Sequence, residues 1–142
     1  MHCGAGQRLT GFLPKMATML TVHHLETSRS QRIPWLLEEL GVPYTLKRYA
    51  RDRRTKLAPP ELKAAHPLGK SPVVTDDGET IAESGAILEF LAEKYASKAA
   101  GELAGLIPAA GTPAHRQARF WMHYAEGSLM NWLVMKLVFM TI

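Results

Sequence analysis

The stretch SPVVTDDGET (71–80) constrains the fold more than any other part of the chain. Two short runs of apolar and β-branched residues flank Asp77-Gly78, a dipeptide that favours the tight turn of an antiparallel hairpin. Pro72 opens the first run. It has no backbone N–H, which confines it to a strand start, an edge or a bulge. Upstream, MLTVHHL (19–25) reads as a strand, being short, apolar and β-branched. RSQRIPWLLEELG (29–41) reads as a helix with Ile33, Leu36, Leu37 and Leu40 on one face and Gly41 as its stop. Pro34 falls in its first turn, where a missing N–H costs little. PYTLKRY (43–49) makes a second strand, and APPELKAAHP (58–67) a short helix opened by prolines and closed before Pro67. After the hairpin, SGAILEFLAEKY (84–95) is a helix with Ser84 as N-cap and Ile87, Leu88 and Leu91 inward.

The order is therefore β-α-β, helix, hairpin, helix. A βαβ unit followed by a hairpin demands a mixed sheet with helices on its faces. That is an α/β, thioredoxin-like plan, expected over residues 19–96. Residues 97–112 are rich in small side chains and read as a linker. Thr112-Pro113 then caps and opens one long helix over 113–142. Its second half is apolar on every side, so neighbours must bury it. This ending reads as the first helix of an incomplete all-α domain. Residues 1–18 are expected to be an unstructured extension; they lack acids and carry Arg8 and Lys15, so a transit segment is the alternative.

Composition narrows the function classes. The chain of 142 residues has a formal charge of +4, to which KRYARDRRTK (47–56) contributes heavily. An Asp and a Tyr interrupt that run, which reads as a solvated loop and not a nucleic-acid surface. Cys3 is the only cysteine, which excludes an internal disulfide framework and any CxxC site and fits a reducing cytoplasm. The longest apolar run, 129–142, contains Asn131 and Lys136 and is too short to span a membrane. His23 and His24 are adjacent on a strand, so they point to opposite faces and make no metal pair.

Three segments in order, HHLETSRSQRIPWLLEELG (23–41), APPELKAAHPLGKSPVV (58–74) and IAESGAILEFLAEKY (81–95), resemble the N-terminal domain of a cytosolic glutathione S-transferase. The likeness is to the serine type, nearest the group found in fungi and bacteria. RQARFWMHYAEGSLM (116–130) resembles the first helix of that family's helical second domain. The resemblance implies that Pro72 follows a cis bond and that the Ser71 backbone pairs with the cysteinyl part of glutathione like an added strand. The side chain of Ser71 would then matter less. It further implies that Ser84 receives the γ-glutamyl carboxylate at a helix N-terminus, with Glu83 toward the ammonium group and Lys70 near the glycyl carboxylate.

Ser28 carries the reaction in this reading. Its hydroxyl would donate a hydrogen bond to the glutathione sulfur, because only the thiolate is a good nucleophile. Ser30, inside the helix, is the rival and Thr27 stands third; a plain capping role is the alternative for all three. Arg29 and Arg32 are further basic candidates, with Arg32 suited to bracing the domain. Met122, Met130, Met135 and Met140 are assigned to core or dimer packing. The implied function is conjugation of glutathione, as co-substrate and without metal, to a small apolar electrophile, or peroxide reduction by the same thiolate. The implied protein is a cytoplasmic homodimer. A non-catalytic interaction module, or an inactive truncated form, is the competing reading. A thiol–disulfide oxidoreductase would need a cysteine where Ser28 stands.

Overall fold

The computed structural model describes residues 20–96 and 105–141. The extension expected over 1–18 and half of the expected linker lie outside them. Four strands form one mixed sheet in the order β2-β1-β3-β4. β1 (Thr21–Leu25) runs parallel to β2 (Thr45–Tyr49), with Thr21 opposite Thr45 and Leu25 opposite Tyr49. β3 (Val73–Asp76) is antiparallel to β1, and β4 (Glu79–Ala82) is antiparallel to β3. The expected hairpin is present. Asp77 and Gly78 both take positive φ, 50° and 89°, the left-handed pair that a two-residue turn of matching twist requires.

The helices cover both faces of this sheet. α1 (Arg32–Glu39) and α3 (Ser84–Tyr95) pack on one face. There Ile33, Leu36, Leu37 and Leu40 meet Leu20, Val22 and Val74 of the sheet and Ile87 and Leu91 of α3. The i, i+3, i+4, i+7 spacing in α1 is what makes one continuous buried stripe. α1 stops at Gly41, φ +63°. The Gly41 N–H donates to Glu38 C=O (3.1 Å) and the Val42 N–H to Leu37 C=O (2.9 Å), the paired bonds of a left-handed helix cap. On the opposite face, α2 (Leu62–Ala65) lays Leu62 over Leu25 and Tyr49. Three positions thus differ from the expected helix bounds. α1 is preceded by a 3-10 turn, Arg29–Gln31, which holds Ser30, and α2 is only a single turn. In α3 the carbonyl of Glu83 accepts the first helical bond, from the Ile87 N–H at 2.9 Å. Glu83 is therefore the N-cap and Ser84 the first helical residue, one place away from the expected cap.

Thr112 caps α4 (Pro113–Tyr124), its hydroxyl accepting from the His115 N–H at 3.1 Å, with Pro113 in the first turn as expected. The long helix is not uniform. Residues Ala125–Leu129 wind as a π turn before α5 (Met130–Thr141) begins. Within α5, Trp132, Phe139 and Met140 are each at least 70% exposed, so Met135 and Met140 pack into no core of the described residues. Among the described residues, no helix is long and apolar enough to cross a membrane.

Candidate glutathione site

The chain after β1 is bent by unusual backbone. Thr27 has φ 48°, a left-handed value that is an outlier for a β-branched residue. Arg51, from the basic loop, holds this bend: its Nε donates to Glu26 C=O (2.9 Å) and its Nη2 to Thr27 C=O (3.2 Å). Ser28 follows as the N-cap of the 3-10 turn. Its Oγ accepts from the Ser30 N–H (3.1 Å) and donates to Leu25 C=O (2.8 Å). The Ser28 and Ser30 hydroxyls are 2.7 Å apart. Ser30 is fully buried, whereas Ser28 is half-buried; of the two, only Ser28 keeps access to solvent. Thr27 is exposed.

The Ser71–Pro72 bond is cis, as expected. The register between β1 and β3 ends at His23↔Val73, so the main chain of Ser71 stands outside the ladder. Its side chain takes the ladder's place: Ser71 Oγ accepts from the Leu25 N–H (3.3 Å) and donates to His23 C=O (2.8 Å). The side chain, given little part in ligand recognition by the sequence, has a structural one at the end of β1. By satisfying the end of β1 with its hydroxyl, Ser71 leaves its own N–H and C=O for another strand-like partner.

At the start of α3, Glu83 adopts φ 76°, ψ 122°, a backbone state that costs a non-glycine residue about 1–3 kcal/mol. Ser84 is buried, and among the described residues its hydroxyl makes no hydrogen bond. Its position in the first turn sets it beside the unpaired N–H groups and positive end of a helix of 12 residues.

Lys70, Ser71, Pro72, Glu83 and Ser84 line one cleft, together with Arg29 and His66. Five of the six expected site residues therefore come together. Ser28 does not line the cleft itself. It adjoins it through Arg29, the next residue, and through Leu25, whose C=O Ser28 bonds and whose N–H reaches Ser71. A larger groove beside Leu37, Pro43 and Tyr44 lies away from all of them.

Charge is distributed unevenly in the cleft. Among the described residues, exposed Lys70 forms no ion pair. Arg29 and Arg32 both pair with Glu126 of the π turn, Arg29 at 2.6 Å. Burial, then the neighbouring Arg29 cation, lower the Arg32 pKa, and Glu126 offsets that cost. Arg32 thus braces α1 against the second helical segment, the role expected for it. Sequence reasoning missed His66, Arg51, Glu126 and the bond of Ser30 to His24. His66 had a faint signal, standing between a helix end and the Ser-Pro step. Glu126 had none, because it meets Arg29 across 97 residues.

Chemically, the cleft can take an extended peptide carrying charge at both ends. A helix N-terminus with Ser84 suits one carboxylate, Lys70 a second, Glu83 a cation between them, and the Ser71 main chain an amide. A mixed four-stranded sheet with a helix pair behind it and a cis-proline at the cleft defines a thioredoxin-like domain. Residues 28–94 match the family model described as glutathione S-transferase, N-terminal domain. Over residues 28–94 the chain thus carries a domain of the glutathione S-transferase N-terminal family. It is 46% identical over 116 residues to glutathione S-transferase 3 of Schizosaccharomyces pombe, covering 81% of this chain and 44% of that protein. A crystal structure of a glutathione S-transferase from Actinobacillus pleuropneumoniae superposes with a TM-score of 0.65 at 43% identity, covering 72% of this chain and 46% of that one. A homologue from Sulfitobacter, solved with bound glutathione, superposes with a TM-score of 0.58 at 26% identity over 76% of this chain and 49% of that one. The chain spans about half the length of the curated relatives it matches.

Proposed function

We propose that this chain is a glutathione transferase of the serine type, which binds glutathione in the cleft and holds its thiol as thiolate with the hydroxyl of Ser28. The observation that carries the reading is the convergence of Lys70, Ser71, Pro72, Glu83 and Ser84 on one cleft whose charges complement a γ-glutamyl tripeptide. Ser84 and the α3 N-terminus receive the γ-glutamyl carboxylate, Glu83 the ammonium group, Lys70 the glycyl carboxylate, and the Ser71 main chain the cysteinyl unit. Bound glutathione in the Sulfitobacter homologue supports the ligand.

Ser28 acts as a donor, not as a nucleophile. A free thiol of pKa about 8.5 is only a few per cent ionised at neutral pH. A hydrogen bond to a charged acceptor contributes roughly 1.5–3 kcal/mol, or about one to two pKa units. The thiolate then attacks an electrophilic carbon of a small apolar molecule; the new C–S bond forms as the leaving group departs with its electron pair. Peroxide reduction draws on the same thiolate, which attacks one peroxide oxygen as the O–O bond breaks and the other oxygen leaves as alcohol; a second glutathione thiol then displaces water from the sulfenic acid to form the disulfide. The apolar surface of α5 supports a homodimer, residues 113–142 the start of a helical domain, and the lone Cys3 a reducing cytoplasm.

The Ser28→Ala variant tests the assignment. Glutathione affinity should persist while turnover near neutral pH falls about ten- to a hundredfold, following the one- to two-unit estimate. Activity should recover at high pH, where hydroxide ionises the thiol. If Ser30→Ala shows this pattern and Ser28→Ala does not, Ser30 is the activating residue. The competing reading, a non-catalytic module, requires that the chain fail to bind immobilised glutathione.

A further inference from the structure

The Ser30 hydroxyl is buried beneath Ser28 and has more neighbours than protons. It accepts from the Leu25 N–H at 3.2 Å. Its remaining contacts are His24 Nδ1 at 2.8 Å, Ser28 Oγ at 2.7 Å and Leu25 C=O at 3.2 Å. A serine hydroxyl has one proton to give, so only one of these three receives it. Which one does decides what Ser28 can do with its own proton. If His24 Nδ1 is an acceptor, the chain runs Ser28→Ser30→His24, and the Ser28 proton is drawn inward, away from a ligand. If His24 Nδ1 carries a hydrogen, the chain reverses. His24 then donates to Ser30, the Ser30 proton turns to Ser28 Oγ or to Leu25 C=O, and the Ser28 hydroxyl is released outward.

We infer that His24 is a positioning residue: its Nδ1–H fixes the direction of the His24–Ser30–Ser28 hydroxyl chain so that Ser28 donates to the glutathione sulfur. The inference rests on the reading of Ser28 given above and deepens it. The geometry supports it at two points. The Leu25 carbonyl, which holds the Ser28 proton at 2.8 Å, is already within reach of the Ser30 hydroxyl and can exchange one donor for the other without backbone movement. Hydrogen bonds in series also polarise one another by about 10–30% per bond, and a donor behind Ser30 strengthens the outward bond in that way. His23, the adjacent histidine, takes no part; it points to the other face, toward Tyr49 and Thr75.

The test is an ultraviolet titration of the thiolate absorbance of glutathione bound to the full chain, with affinity measured in parallel by calorimetry. His24→Leu removes the donor. His24→Asn keeps an N–H near the place of Nδ1, and Ser30→Ala breaks the chain at its middle. His24→Leu and Ser30→Ala should each leave the glutathione Kd unchanged and lower the thiolate-to-thiol ratio at neutral pH by about 1.3- to 5-fold, the effect of a 10–30% weaker charged-acceptor bond. His24→Asn should restore it. A wild-type thiol pKa in His24→Leu overturns the inference, as does failure of His24→Asn to restore it at unchanged affinity. Should His24→Leu not fold, Ser30→Ala gives the same reading. The Ser28→Ala control separates the two levels. If it raises the thiol pKa and the His24 variants do not, only the part of His24 falls. If it leaves the thiol pKa unchanged, the assignment of Ser28 falls and the inference with it.

Discussion

Glu83 holds the least comfortable backbone in the cleft, at φ 76° and ψ 122°. Strain of this kind persists only where surrounding structure enforces it, and it gathers at ligand clamps. Here it bends the chain from β4 into α3 so that residue 83 caps the helix and lines the cleft. Glycine adopts such angles freely. Glu83→Gly should therefore raise stability by about 1 kcal/mol, the strain less the entropy cost of glycine, while weakening glutathione binding. Denaturant unfolding with calorimetry checks both, and a variant that is destabilised would show that the angle carries no strain. At this scale the sequence was legible where a residue acts through local geometry. Ser84 after a strand, Pro72 at a strand start and Ser28 before a helix each carry a recognisable signal. The side chain of Ser71 does not, because its two partners, His23 and Leu25, are brought to it only by strand pairing across 48 and 46 residues. His24 and Ser30 likewise look like a strand residue and a helix residue until the bend at Thr27 brings them together.

The strands are tied by a buried histidine as well as by their ladders. His23 of β1 contacts the Tyr49 hydroxyl of β2 through Nδ1 (2.9 Å) and the Thr75 hydroxyl of β3 through Nε2 (3.3 Å). Burial, and secondarily the charge of Lys47, lower its pKa below the ordinary 6.5. The folded protein thus resists a proton that the unfolded chain accepts near pH 6.5. Its neutral form is no handicap above that pH. As pH falls below 6.5, the unfolded state gains the proton first and stability declines until the folded pKa is passed. Thermal unfolding of the wild type and His23→Asn should therefore show a steeper loss below pH 6.5 in the wild type; parallel slopes would remove His23 as the cause. Element boundaries were legible to within a few residues, since the periodic stripe of α1 and the Asp77-Gly78 turn are local patterns. The π turn at Ala125–Leu129 was not, although Gly127-Ser128 interrupts the helix-forming run there, because such a pair does not say which way the winding changes. What sits there is Glu126, paired with Arg29 and Arg32 from the other end of the chain.

Over the whole molecule, two surfaces face outward with different characters. The cleft collects Lys70, Ser71, Glu83 and Ser84 from two separate segments, and Glu126 reaches from the second helical segment to steady Arg29 at its rim. The other surface is α5, where Trp132, Leu137, Phe139 and Met140 are each at least 60% exposed. Full burial of such side chains contributes roughly 1.5–3 kcal/mol apiece, so this face is a large reserve of unclaimed stability. The apolar pattern of residues 129–142 made that legible in advance, as did the order of strands and helices. The central claim, that the cleft binds glutathione along the Ser71 main chain and the α3 N-terminus, is tested most directly by backbone amide NMR during a glutathione titration. Saturable shifts centred on Lys70, Ser71, Glu83, Ser84 and Gly85, and extending to Ser28, are the expected result; no saturable shifts, or shifts confined to the groove at Leu37, Pro43 and Tyr44, would contradict it.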